Sequence, residues 1–362
     1  MNLFIAESQN GRFSKELHAL RGIAALVVFF VHLQDRALDA FPDLWFPSIF
    51  NGSAAVVFFF VLSVLVVGMS LAKTWGRDHF LIEYGIRRLF RIMPLMVVMT
   101  TIGGLYLLFV NPHMPFPLYE DSYGDFSISK WIAGYIGYSM KANPPSWSIF
   151  VELVGSLLIP LMILSGRSAR SVLVTLIGLT LLIFVDFDSQ HRWHFYMISF
   201  YAGLSVLYWG RPLATYVTQM KQQFFWGLIL LLAVGFYLMR FLMDGDMYGN
   251  PWMPLWETVM VTPLVAIIYY VPDRFSLLGK HIFQFFGDIS FSLYLIHYLW
   301  IAALYNVMFL LMETDKIFLL LYIVLAVPTA MTLAHISYKY LELPFISMGK
   351  ETFNRFVKRK AR

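Results

Sequence analysis

The sequence contains no cysteine and few charged residues. The absence of cysteine among 362 residues excludes disulfide bonds, thiolate metal sites and a cysteine that carries an acyl group. Charged residues make up only 14% of the chain, whereas 59% is apolar and 18% is aromatic. Soluble domains carry about 25% charged residues, so this composition indicates an integral membrane protein. The net charge of +5 does not indicate nucleic-acid binding, because the basic residues are distributed between apolar segments.

Ten apolar segments are long enough to cross a bilayer. With the N-terminus inside, 21 Lys and Arg residues fall on the inner side and 6 on the outer side, which is a strong positive-inside bias. We therefore predict an all-α integral membrane protein with ten transmembrane helices and both termini in the cytoplasm. The segments lie at about residues 20–38, 49–72, 89–110, 146–164, 172–185, 193–209, 224–243, 253–271, 289–312 and 317–338.

Outside these segments the chain offers little that indicates a soluble domain. Residues 1–345 are predicted to form one ten-span membrane domain. Residues 346–362 are predicted to form a basic cytoplasmic tail that binds anionic lipid. Residues 129–140 are too short and too polar to cross a membrane and are predicted to form an interfacial helix.

The first apolar segment carries a cation and an imidazole on one helix face. Arg21 and His32 are eleven residues apart, so in a helix they point within about 20° of one direction and lie about 16 Å apart along the axis. Ionisable residues inside a bilayer are costly and are candidates for function. In the structural alternative, Arg21 extends to the membrane surface and His32 is a hydrogen-bonded packing residue between helices.

A carboxylate on the fourth segment is expected at a depth in the membrane similar to that of His32. Glu152 follows Ser146 by six residues, which places it about 9 Å below the outer end of its helix. His32 lies six residues from the outer end of its own segment, so Glu152 and His32 are candidates for a pair in which the carboxylate orients the ring. Asp35, one turn from His32, is a rival partner, and a purely structural pair is the alternative.

Arginines stand at the start of the third segment. Arg88 and Arg91 are three residues apart and therefore share a helix face, and Arg87 is adjacent. The positive-inside rule explains their side of the membrane. A fork of guanidinium groups at the mouth of a span also suits the phosphates of a cytoplasmic ligand. Arg21 is expected at the same level.

Further polar and aromatic residues mark the later segments. Ser290, Tyr294 and His297 share a face of the ninth segment. They form either a hydrogen-bonded packing seam or a set of substrate contacts. Glu257 near the outer end of the eighth segment is another candidate. Trp147, at the start of the fourth segment, is either an interfacial anchor or a surface on which a sugar stacks.

Five motifs together resemble the membrane acyltransferase-3 family over nearly the whole chain. Arg21 and His32 match the Arg-x10-His of its first span, and Arg88 and Arg91 match its Arg-x-x-Arg. Each motif is short, but five of them in this order on ten predicted spans are specific. The other three lie at residues 147–152, which resemble its Trp-Ser-x-x-x-Glu, at residues 287–297, which resemble its Ser-x-Ser-Leu-Tyr-Leu-x-His, and at residues 340–345, which resemble its closing Glu-x-Pro-Phe.

The resemblance implies an acyltransferase of the EC 2.3.1 type in the bacterial cytoplasmic (inner) membrane. Such an enzyme moves an acyl group, most often acetyl, from cytoplasmic acyl-CoA to a hydroxyl of a cell-surface glycan or glycolipid, such as lipopolysaccharide O-antigen or exopolysaccharide. Acyl-CoA, most often acetyl-CoA, is then a co-substrate. The other expected partners are membrane lipids and a glycan or lipid-linked saccharide as acceptor. We expect no permanently bound cofactor, no metal ion and no nucleic acid.

The residue patterns and the resemblance together predict roles for individual residues. His32 and Glu152 are the expected catalytic residues, with His32 taking the proton of the acceptor hydroxyl. An acyl-enzyme on a serine or on His32 stays open as an alternative. The expected binding residues are Arg21, Arg88 and Arg91 for acyl-CoA, and Trp147, Glu257, Ser290, Tyr294 and His297 for the acceptor.

Two other functions use the same residues. A transporter or flippase would use the intramembrane charges as an ion path, but the two halves of the sequence show no matching pattern of broken helices. The same acyltransfer with a succinyl or longer acyl donor is also compatible with the sequence. No SGNH-type esterase domain follows the membrane segments, so we expect an enzyme that delivers the acyl group directly to its acceptor.

Overall fold

A computed structural model describes residues 2–8, 11, 13–40, 50–115, 126–186, 188–242, 250–312 and 315–360. These residues form helices and connecting loops, and no strand occurs among them. Short 3-10 helices cover Asn111–His113, Gln190–Tyr196 and Pro272–Gly279, and a π-helix covers Tyr338–Glu342. The α-helices are α1 (Leu3–Ser8), α2 (Lys15–Ala40), α3 (Gly52–Thr74), α4 (Phe80–Phe109), α5 (Ile128–Gly134), α6 (Ser146–Ser165), α7 (Ala169–Ile183), α8 (Met197–Thr218), α9 (Gln222–Leu242), α10 (Trp252–Tyr270), α11 (His281–Leu311), α12 (Lys316–Ser337) and α13 (Leu343–Lys360).

Each predicted membrane segment overlaps one of ten helices, α2 to α4 and α6 to α12, and the segment at 193–209 begins in the 3-10 helix before α8. Within the described ranges, seven stretches are long and apolar enough to cross a membrane by length and composition. They are α2, α3, α4, α6, α10, α11 and the stretch that runs from α12 into α13. Helix α7 and the described part of α9 are apolar but shorter. The all-helical fold with several membrane helices is confirmed, whereas the count of ten and the cytoplasmic termini stay predictions.

Two helices begin about two turns before their apolar segments. Helix α4 begins at Phe80 and α11 at His281, eight or nine residues earlier than hydropathy indicates. Hydropathy detects only the part of a helix that suits lipid, and polar residues such as Glu83 and Gln284 continue the helix beyond it. The arginines predicted to open the third span therefore lie two turns inside α4.

The predicted interfacial helix at residues 129–140 is shorter than expected. Helix α5 ends at Gly134, and Gly137 has a φ of +74°. This left-handed conformation suits glycine, because it has no Cβ, and it does not continue a helix. Trp131 of α5 donates a hydrogen bond from Nε1 to the carbonyl of Thr100, 2.9 Å away, so α5 packs against α4.

Polar side chains define where several helices begin. Asn51 accepts a hydrogen bond from the backbone of Ala54 at the start of α3. Ser168 caps α7 in the same way, and Asp315 accepts from two backbone amides at the start of α12. Such caps satisfy amide groups that have no partner within the helix.

The chain forms two compact units, each assembled from three separate stretches of sequence. The proposed boundary at residue 345 falls inside α13 and stays a prediction. The first unit contains Met1–Ala24, Asn51–Phe80 and Val151–Gly287, and the second contains Ala25–Phe50, Leu81–Phe150 and Asp288–Arg362.

The first unit is built around α3, α8 and α10. Gly203 of α8 lies so close to α3 that a Cβ there would meet the carbonyl oxygen of Val61 at 2.1 Å. Ser199 of α8 and Thr258 of α10 join their hydroxyl groups at 2.6 Å. The short helix α1 packs against α3 and α8, and its Glu7 accepts hydrogen bonds from Arg211.

The first unit also contains a close crossing of α2 and α11. A Cβ at Gly22 would lie 2.3 Å from the carbonyl carbon of Phe286, and one at Gly287 would lie 2.4 Å from the ring of His18. Small residues allow this approach of two backbones within a membrane bundle. Glycine is therefore required on both sides of the crossing.

The second unit contains most of α4 and α11 together with α5, α12 and α13. A Cβ at Gly103 of α4 would meet the carbonyl oxygen of Ala142, and a Cβ at Gly104 would meet the ring of Trp131. The loop before α6 therefore packs closely against α4. The π-helix joins α12 to α13, and Gly349 of α13 packs on the ring of Phe90. The basic tail is therefore helical as far as Lys360.

Candidate active site

Two histidines contact each other in the second unit. Nδ1 of His32 lies 3.0 Å from Nε2 of His297 and 3.1 Å from the carbonyl oxygen of Val28. Nδ1 of His297 lies 3.1 Å from the carbonyl oxygen of Leu293. His297 is completely buried, whereas His32 is only half-buried. The pair therefore consists of one partly buried histidine in hydrogen-bond contact with one fully buried histidine.

The spacing of residues along α2 and α11 explains why these rings meet. The two helices touch at Gly22 and Gly287, and the histidines lie ten residues after these glycines on each helix. Ten residues of α-helix rise about 15 Å on either side. The glycine contact in the first unit and the histidine contact in the second unit therefore fall at equivalent positions along the two helices.

The start of α6 is joined to α11 next to the histidines. The hydroxyl groups of Ser148 and Tyr294 lie 2.8 Å apart. Ser148 Oγ donates its proton to the carbonyl of Pro145 at 3.0 Å, so the Tyr294 hydroxyl donates to Ser148. The Tyr294 ring centroid is 5.9 Å from that of His297. These contacts match the packing seam that the sequence left open, and Trp147 and Ser290 are buried in the same unit.

The two candidate carboxylates lie in the first unit and accept hydrogen bonds from serines of α3. Ser63 donates to Glu152 at 2.9 Å, and Ser53 donates to the fully buried Glu257 at 3.4 Å. Glu152 and His32 belong to different units, so their pairing stays a prediction. Neither serine was singled out in the sequence.

The candidate phosphate-binding arginines differ in their surroundings. Arg87 is half-exposed and forms an ion pair with Glu83 one turn earlier, so it is a surface pair of α4. Arg88 and Arg91 are half-buried on the same helix. Arg21 lies on α2 in the first unit, so its predicted place at their level stays a prediction.

Comparison with known families decides the class of the protein. A family model described as an acyltransferase domain, of the acyltransferase-3 type, matches residues 14–338. The chain belongs to the acyltransferase-3 family. No curated protein and no solved structure gives a significant match to it.

Membership of the acyltransferase-3 family confirms the resemblance seen in the motifs. The match covers α2 to α12 and therefore includes His32, His297 and both arginines of the Arg-x-x-Arg motif. The protein is thus a multi-pass membrane acyltransferase. The acyl donor, the acceptor and the role of each residue are matters for proposal.

One contact links two acyltransferase-3 motifs through residues, Ser292 and Glu342, to which the sequence assigned no role. Ser292 donates a hydrogen bond to Glu342, which is buried in the π-helix, and also lies 3.0 Å from Ser337. A π-helix turn often marks a functional region, because it shifts a side chain out of the regular helical register. The signal in the sequence was the carboxylate of the Glu-x-Pro-Phe motif next to an apolar span, which needs a polar partner.

Proposed function

We propose that the protein is a transmembrane O-acyltransferase, and most simply an O-acetyltransferase. It moves an acyl group from cytoplasmic acyl-CoA to a hydroxyl of a cell-surface glycan or glycolipid in a bacterial cytoplasmic membrane. The observation that carries the proposal is the contact of His32 with the buried His297, 3.0 Å from ring nitrogen to ring nitrogen, in a chain of the acyltransferase-3 family. An imidazole with one fixed edge suits a general base.

The reaction needs one proton transfer to His32 and one proton transfer from it. His32 takes the proton of the acceptor hydroxyl while the oxygen attacks the thioester carbonyl carbon. The carbon–sulfur bond then breaks, and the imidazolium returns the proton to the leaving thiolate. The products are the acyl ester and free CoA, so no other co-reactant is needed.

The remaining residues would bind and orient the substrates. Arg88 and Arg91, together with Arg21, would hold the CoA phosphates, because guanidinium groups make paired hydrogen bonds with phosphate oxygens. Glu152, already hydrogen-bonded to Ser63, keeps its assignment from the sequence as the second proposed catalytic residue. The proposed acceptor contacts are Trp147, Glu257, Ser290 and Tyr294.

Mass spectrometry of surface glycans tests this proposal. Cells producing the wild-type protein should carry glycans heavier by one acyl group than cells without it, and the mass names the donor. The variant His32→Gln should lose at least about 100-fold of this transfer, the contribution of a general base. The control is His113→Gln, an exposed histidine in a 3-10 helix, which should behave like wild type. Normal acylation by His32→Gln at normal membrane levels would disprove the role of His32.

A further inference from the structure

We propose that His297 is a positioning residue that holds His32 as the tautomer protonated at Nδ1. In this arrangement Nε2 of His32 carries the lone pair that receives the proton of the acceptor hydroxyl. The inference rests on the proposed function for the role of His32 as base. The hydrogen bonds that carry it are those of the histidines themselves.

The proton of His297 is fixed by the backbone. Its Nδ1 lies 3.1 Å from the carbonyl oxygen of Leu293, which can only accept a hydrogen bond. A neutral imidazole has one N–H, so this proton must be on Nδ1. Nε2 of His297 is then an acceptor, and it lies 3.0 Å from His32.

The proton of His32 follows from that of His297. Nδ1 of His32 faces two groups, Nε2 of His297 and the carbonyl oxygen of Val28, and both are acceptors. Its proton is therefore on Nδ1, shared between them, and its Nε2 is unprotonated. If both rings were instead protonated at Nε2, the lone pair of each Nδ1 would point at the lone pairs of a carbonyl oxygen.

This assignment removes His297 from direct contact with substrate. Both of its ring nitrogens are used within the protein, and the side chain is 0% exposed. The sequence made this residue a candidate for an acceptor contact, whereas the contacts support a role through His32. When His32 becomes an imidazolium, its Nδ1–H bond to the neutral His297 becomes charge-assisted and stronger. His297 thereby stabilises the protonated form as well as orienting the base.

Kinetics of two replacements separate positioning from packing. In His297→Gln the side-chain amide oxygen can take the place of Nε2 and accept from His32, whereas His297→Leu has no acceptor. His297→Leu should lower kcat by about 10- to 100-fold, as for groups that orient metal-binding histidines, with the KM for acyl-CoA unchanged. His297→Gln should keep most of the rate.

His194→Leu is the matched control, because His194 is also buried but is hydrogen-bonded to Ser189 in the first unit. It should keep the wild-type kcat. Equal loss in His297→Gln and His297→Leu, or a rise in the acceptor KM at unchanged kcat, would overturn the positioning role.

Nitrogen NMR of the protein labelled with 15N in its histidine rings measures the tautomer without any turnover. The His32 signals are assigned by their loss in His32→Gln. We expect a protonated Nδ1 and an unprotonated Nε2 for His32, coupled by a hydrogen bond to His297. A proton on Nε2 of neutral His32 would overturn the inference even if His32→Gln is inactive. The expected tautomer together with a fully active His32→Gln would instead contradict the proposed function.

Discussion

At the residue scale, polar side chains within the helices form hydrogen bonds to other helices. Ser148 with Tyr294 is one such contact, and Ser63 with Glu152 is another. In an apolar environment a polar group without a partner is costly, so each carboxylate or imidazole on a membrane helix predicts a partner on a neighbour. The sequence identifies the costly member of each contact but not its partner, because a serine within an apolar helix is unremarkable by itself.

The assignment of Arg88 and Arg91 to acyl-CoA gives a prediction at the same scale. Arg88→Ala or Arg91→Ala should raise the KM for acyl-CoA at least about 10-fold, since a charge-assisted hydrogen bond contributes about 1.5–3 kcal/mol. Lysine at either position should restore binding only in part, because the paired hydrogen bonds are lost. Titration of acyl-CoA against initial rate measures the effect.

Arg167→Ala is the control for the arginines, since Arg167 is exposed and lies in the loop after α6. Its KM for acyl-CoA should equal that of wild type. A similar rise in KM at Arg167, Arg88 and Arg91 would mean that the cluster acts only through general positive charge.

At the scale of the element, the sequence predicted the position of each helix more accurately than its first and last residues. The apolar runs located α2, α3 and α10 within a few residues, because hydropathy and helix length agree there. The first two turns of α4 and α11 were missed because charged and polar residues such as Glu83, Arg87 and Gln284 interrupt their apolar residues. The contact between α2 and α11 has only one clear signal in the sequence, a glycine ten residues before each histidine.

The glycine crossing predicts a specific loss of stability. Gly22→Ala places a methyl group 2.3 Å from the carbonyl carbon of Phe286, so the helices must separate. We expect a loss of about 1–3 kcal/mol in the free energy of unfolding, as for other overpacked sites, together with a lower kcat because the histidines lie further along the same helices. Thermal unfolding in detergent and initial rates measure both effects.

Gly178→Ala in α7 is the control for the glycine crossing. A Cβ there meets nothing within 4 Å, so alanine should be neutral or stabilise the helix by about 0.5–1 kcal/mol. Indistinguishable unfolding temperatures for Gly22→Ala and Gly178→Ala would contradict the crossing.

At the scale of the whole molecule, the sequence predicted a multi-pass helical acyltransferase, and the family match confirms that class. It did not predict two compact units whose stretches alternate along the chain. Hydropathy orders the spans along the sequence but carries no information about which spans pack together. The contact of His32 with His297, 265 residues later, depends on such packing.

The most direct test of acyl transfer across the membrane uses sealed vesicles from cells that produce the protein. Acetyl-CoA labelled in its acetyl group is added outside inside-out vesicles, whose outer surface is the cytoplasmic face, or outside right-side-out vesicles. We predict that glycans inside the inside-out vesicles become labelled, that right-side-out vesicles stay unlabelled, and that His32→Gln removes the labelling. Labelling of glycans only when acetyl-CoA is on the same side, or equal labelling with His32→Gln, would contradict the account.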